Sequence, residues 1–230
     1  IADEPTTALD VTVQAQVLSV LEETKRRGAA IILISHDLSV VSRMADELLV
    51  MRGGEVVEQG PARSVLLNPQ HEYTKSLLDA VPSADTRGKP LLASSPRRSF
   101  VSMASPSAPE NEKPLLKADN LVKSFYGPDK QRRTVVRNVS FELGRGEVLG
   151  VVGESGSGKS TVARLCMALE APDSGEVQLF GEPWSTLREQ DRRDRRRHIG
   201  LIYQDPLSSF DPRWNFEQIL DDGARLDEHA

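Results

Sequence analysis

The sequence predicts an α/β fold: a mostly parallel sheet organised around a phosphate-binding loop, with an antiparallel β subsheet beside it. Three observations lead there. The apolar run Glu147-Val148-Leu149-Gly150-Val151-Val152 feeds directly into Gly153-Glu154-Ser155-Gly156-Ser157-Gly158-Lys159-Ser160-Thr161 and then into a helix expected over 161–169. Short apolar runs such as Ala29 to Ile34 have the length of buried parallel strands. Two longer runs, 115–125 and 134–143, flank a polar loop at Gly127-Pro128-Asp129 and read as an antiparallel pair.

The pattern G-x-x-x-x-G-K-[ST] between a strand and a helix is a cradle for polyphosphate. Its glycines let successive backbone N–H groups turn inward, and the helix adds the positive end of its dipole. Lys159 reaches the β- and γ-phosphates as a mobile point charge. Ser160 offers a hydroxyl to Mg²⁺, which keeps most of its waters and takes few protein oxygens. Every residue from Gly153 to Thr161 is thus an expected contact of a nucleoside triphosphate.

The remaining elements follow in chain order. Val13, Val17, Leu18, Val20 and Leu21 recur at helical spacing within 11–27, and Gly28 supplies a left-handed stop. Ala29 to Ser35 reads as a strand and Asp37 to Met44 as a short helix whose first carboxylate suits the dipole. Arg52-Gly53-Gly54 between two apolar runs signals a hairpin, and Pro61 opens a short helix. A further helix is expected over 73–80. Residues 83–113, rich in proline, serine and alanine, cannot bury enough surface to offset their ordering entropy and read as a linker. Beyond the phosphate loop, 176–180 and 199–203 read as short strands. The arginine-dense stretch 187–198 carries interleaved Glu189, Asp191 and Asp194, the pattern of a solvated helix face.

Composition narrows the function classes. A net charge of −5 over 230 residues gives no electrostatic reason to expect nucleic acid as a partner. No apolar run approaches the roughly 18 residues that cross a bilayer. Cys166 is the single cysteine, so no internal disulfide or cysteine metal cage forms, and a reducing compartment is expected. The chain opens on Ile1 with no signal peptide, and both ends read as cut.

The two halves resemble the ATP-binding-cassette ATPases. Ile1-Ala2-Asp3-Glu4-Pro5-Thr6-Thr7-Ala8-Leu9-Asp10 resembles the end of that family's Walker B strand and its D-loop, and Ile34-Ser35-His36-Asp37 resembles its switch-histidine segment. Gly153 to Thr161 resembles its Walker A, and Tyr203-Gln204-Asp205-Pro206 its Q-loop. The stretch Asn68-Pro69-Gln70-His71-Glu72-Tyr73-Thr74 resembles the tail of the oligopeptide, dipeptide, nickel and glutathione importers within the family, although Glu72 stands where their tail has proline. That tail carries no cysteine here, so no iron–sulfur cluster is expected.

The motif order is inverted relative to one cassette, since Walker B and the histidine precede Walker A. The resemblance therefore implies a tandem parent: residues 1–82 as the C-terminal part of a first cassette and 114–230 as the N-terminal part of a second. It implies ATP and Mg²⁺, with Asp3, Ser160 and Gln204 at the metal, Glu4 as general base, and His36 and Gln204 sensing the γ-phosphate. Phe125, or failing that Tyr126, would stack on adenine. Implied partners are membrane permease subunits, a second cassette and, indirectly, a periplasmic or surface solute-binding protein. The implied location is the cytoplasmic face of the inner membrane. The Leu-Ser-Gly-Gly-Gln signature does not occur in the chain, so weak nucleotide binding and negligible steady hydrolysis are expected of the piece by itself. An alternative arrangement folds both halves together as one permuted cassette, with Asp3, Glu4 and His36 beside Lys159. Competing function classes are a soluble tandem ATPase of translation or DNA repair, and a non-catalytic nucleotide-binding remnant.

Overall fold

The structure, a computed structural model, describes residues 1–7, 9–80, 113–204 and 218. At its centre is β7 (Val148–Val152), buried at every position. β2 (Ile31–Ile34) and β3 (Glu47–Arg52) flank it, both parallel to it, with Ile32 opposite Leu149 and Leu48 opposite Gly150. β1 (Ala2–Asp3) adds to β2 in parallel, and β4 (Glu55–Pro61) closes the other edge antiparallel to β3. The sheet order is β1-β2-β7-β3-β4. Residues from both sides of 83–113 therefore share one sheet, with the strand of the phosphate loop inserted between two strands from the first 52 residues. The linker expected over 83–113 lies outside the described residues except for Lys113.

A second, antiparallel sheet runs β6-β5-β8-β9, from β5 (Leu116–Tyr126), β6 (Arg132–Leu143), β8 (Ser174–Leu179) and β9 (Glu182–Pro183). Alternation along the strands makes two cores. Ile32, Ile34, Leu49 and Met51 face the second sheet and pack with Leu121, Val139 and Phe141, and with Leu165 and Cys166 of α5 (Lys159–Cys166). Ile31, Leu33, Leu48 and Val50 point the opposite way, into a core shared with Leu18 and Leu21 of α1 (Val11–Arg26), Val41 of α2 (Leu38–Met44), Val65 of α3 (Ala62–Leu67) and Tyr73 of α4 (Glu72–Asp79).

Local chemistry fixes the element ends. The Asp10 carboxylate accepts the Thr12 and Val13 amides, both at 2.9 Å, and caps α1; Gly28, at φ 91°, ends it. Asp37 caps α2 in the same way, accepting the Ser39 amide at 2.8 Å. Several expectations shift. Val13 and Val20 of α1 stay exposed, and its core face is Leu18 and Leu21. The helix expected over 161–169 starts at Lys159 and ends at Cys166, because Ala168 turns into the left-handed region at φ 50°. The strand expected over 199–203 is a single bridge from Ile202 to Ala2, since the β1 it meets is two residues long.

α6 (Glu189–Arg196) buries none of its residues, in keeping with a solvated face. It is also tied inward: Arg192 and Arg196 donate to the carbonyls of Ala168 and Met167 beyond the end of α5. Cys166 is buried, and burial pushes its thiol up to about 12, which leaves it an inert apolar filler. Among the described residues no helix is long and apolar enough to cross a membrane.

Candidate active site

The end of β7 delivers the chain into the phosphate loop, and the close approach of other backbones explains its glycines. A Cβ on Gly153, at φ 154°, would lie 2.1 Å from the Met51 carbonyl oxygen; one on Gly158, at φ 100°, would lie 2.6 Å from that of Val135. Gly158 is the N-cap of α5 and brings no side chain, so the first-turn amides of that helix stay available to an anion. From the other side the β3–β4 turn holds the loop, with the Gly54 amide donating to the Ser157 carbonyl at 3.1 Å.

Lys159 is buried and folded back across the loop. Its Nζ donates to the carbonyls of Gly153 and Glu154, both at 2.9 Å. Burial pulls its ammonium below the ordinary lysine range, opposed by the carboxylates of Glu4 and then Asp3. Those two acids come from the opposite end of the sequence. β1 carries Asp3 alongside β2 with Glu4 directly after it, and their backbone is fixed by Asp3 N–H to the Ile202 carbonyl at 3.0 Å and Glu4 N–H to the Ile34 carbonyl at 2.9 Å.

Glu4 is the hub. It takes a left-handed backbone at φ 47°, and its Oε2 accepts the Thr7 hydroxyl at 2.8 Å and the Gln204 amide at 3.3 Å. His36 Nδ1 lies 3.2 Å from the same oxygen, with the imidazole 61% exposed against 14% for the Glu4 side chain. One carboxylate oxygen thus joins the D-loop-like, histidine and glutamine segments. Asp3 is the more awkward acid. Burial raises its carboxyl above the usual range, the Ser160 hydroxyl draws it back, and the Glu4 charge pushes it further up. Its Oδ1 is buried without a hydrogen-bond partner among the described residues. An orphaned carboxylate oxygen beside a serine hydroxyl is an all-oxygen donor set of the kind that suits Mg²⁺, so the residues present fit that ion.

The expected site residues therefore sort plainly. Asp3, Glu4, His36, Lys159, Ser160 and Gln204 come together. Phe125 is 37% exposed, with Lys123 Nζ 5.2 Å above its ring, whereas Tyr126 is 77% exposed. Ala8 and Asp205-Pro206, which carried part of the resemblance, lie outside the described residues. Two residues without an expected role also join the site: Thr7 braces Glu4, and Tyr73 Oη accepts the Glu154 amide at 3.0 Å. Both lie inside quoted motifs, which was the one available signal.

The chain is 39% identical over 227 residues to the glutathione import ATP-binding protein GsiA of Pectobacterium atrosepticum, a match covering 93% of this chain and 36% of that protein. It is 40% identical to the GsiA proteins of Escherichia coli and Shigella dysenteriae over the same shares. The chain thus spans about 36% of the length of these relatives. A dimeric ATP-binding cassette, MJ0796, solved in a post-hydrolysis state with ADP and Pi, is 28% identical, covers 36% of this chain and 35% of its own, and has a TM-score of 0.34. The chain matches the ABC transporter family model over residues 136–229 and the oligopeptide/dipeptide transporter C-terminal region over residues 57–102.

Proposed function

We propose that this chain is the nucleotide-handling part of an ATPase that energises import of glutathione, peptides or related small solutes. The observation that carries the reading is the convergence of Asp3, Glu4, His36 and Gln204, from both ends of the chain, on the loop that holds Lys159. Asp3 and Ser160 would hold Mg²⁺, with Gln204 adjoining; the ion neutralises charge on the phosphates. Lys159 would leave its two carbonyl partners for the β- and γ-phosphates of ATP, and the first-turn amides of α5 would complete the cradle. Glu4 would accept a proton from the attacking water, a contribution typically of about 10²–10⁴-fold. His36 and Gln204 share one Glu4 oxygen, so loss of the γ-phosphate reaches both through a single carboxylate. Phe125 would stack on the adenine.

In the whole protein, residues 1–82 and 114–230 would belong to successive cassettes joined by a linker, the site in this chain standing for the one each cassette would complete with its own matching half, and both would act with permease subunits at the cytoplasmic face of the inner membrane. A second cassette and a solute-binding protein complete the proposed assembly. The GsiA relatives favour this reading over a soluble ATPase of translation or repair.

Titration of the full chain with a fluorescent ATP analogue and Mg²⁺ tests it. Saturable binding is expected, weakened about 10–100-fold in Lys159→Ala, the scale of a lost charged hydrogen-bond set. Absent binding, or equal binding by the variant, would overturn the nucleotide assignment. Uptake of labelled glutathione and dipeptides by cells carrying Lys159→Ala in the intact protein tests the importer half; undiminished uptake of all of them would overturn that.

A further inference from the structure

The segment that matches the oligopeptide/dipeptide transporter C-terminal region touches the phosphate loop through one well-placed hydroxyl. Tyr73 Oη accepts the Glu154 N–H at 3.0 Å across 81 positions of sequence. The ring that carries it is 5% exposed and faces the Arg52 guanidinium, 4.9 Å from its centre. His71 pins the start of the same helix by accepting the Tyr73 amide at 3.1 Å. Burial pushes the phenol above the ordinary tyrosine range, so it stays neutral.

The Glu154 N–H and the Gly153 C=O are two ends of one planar peptide unit. Tyr73 holds the first end, and Lys159 Nζ holds the second at 2.9 Å. Gly153 leaves that unit unusually free to rotate, because no Cβ restricts it. Once Lys159 swings to a phosphate, its hold on the Gly153 carbonyl is gone. Rotation of the unit would then break its remaining hydrogen bond, to Tyr73, and displace the loop backbone beside the anion.

We propose that Tyr73 is a positioning residue for the phosphate loop, its hydroxyl keeping the Gly153–Glu154 peptide oriented while Lys159 is engaged with the nucleotide. The proposal rests on the ATP-binding reading above and gives the importer-type tail a task at that same site.

Tyr73→Phe keeps the ring, its packing and the Arg52 contact while removing the acceptor. In the full chain it is expected to weaken Mg-ATP binding about three- to tenfold, the worth of one hydrogen bond. It should also speed amide hydrogen exchange at Glu154, measured with saturating Mg-ATP, by a similar factor. A merely structural tyrosine would lower the melting temperature and leave both nucleotide affinity and Glu154 exchange alone. That pattern would overturn the role of Tyr73. So would fast Glu154 exchange in the Mg-ATP-bound wild type, whatever the variant does. Wild type that binds no Mg-ATP would remove the nucleotide reading and this role with it; binding that is lost in Lys159→Ala but indifferent to Tyr73→Phe would remove only the latter.

Discussion

Asp3 holds a charge where little water reaches it, and its carboxyl titrates above the usual range chiefly because of that burial. A folded-state value above the unfolded one means that the native state binds the proton more tightly. Stability from this group is therefore fully present at low pH and is lost as pH rises through the raised value. Asp3→Asn should then melt higher than wild type at neutral pH without magnesium. The gap should close on acidification below the raised value. Added Mg-ATP should reverse the order, since it stabilises the form with the intact carboxylate in proportion to affinity. Thermal melts at several pH values, with and without Mg-ATP, check both signs. Individual site residues were legible to very different degrees. The roles expected of Glu4, His36 and Gln204 came with the family resemblance of the motifs that hold them, not from the residues taken alone. No such role attached to Tyr73, because its partner lies 81 positions away and nothing in either local sequence encodes that meeting.

Among the elements, the β3–β4 hairpin shows how a local signal acquires a distant purpose. Arg52-Gly53-Gly54 reads as a turn from its glycines alone, and the structure confirms the turn. What the reading lacked is that Gly54 is also a seam: its amide meets the Ser157 carbonyl, and its carbonyl accepts the Arg137 amide at 2.7 Å. A Cβ at that position, which has φ 89°, would lie 2.3 Å from the Val135 carbonyl oxygen. Gly54→Ala should therefore cost at least about 1–3 kcal/mol from backbone strain alone, read as a lower urea midpoint, and should weaken nucleotide binding through the displaced loop. The segment over 199–203 failed in the other direction. Its apolar pattern suits a strand, yet pairing depends on a partner, and the two-residue β1 supports one bridge only.

Across the whole molecule, the α/β class and the antiparallel subsheet were readable from periodicity, whereas the sheet order was not. Motif order alone left open whether the two halves stay separate or merge. The merger depends on apolar faces of β2, β3 and β7 that each read simply as buried. Asp46 adds a polar tie between the halves, accepting Lys25 Nζ and the Val148 amide, both at 2.9 Å. A chain carrying a protease site between residues 83 and 112 should consequently remain one particle after cleavage. The two pieces should co-elute on size exclusion and unfold in a single transition; separation without denaturant would contradict the shared sheet.

Placing β7 between β2 and β3 also has a cost in time. Both neighbours leave the ribosome about a hundred residues before the strand that separates them, at roughly 5–20 residues per second. The central ladder of this chain therefore zips only after a long-range search of the kind that slows folding.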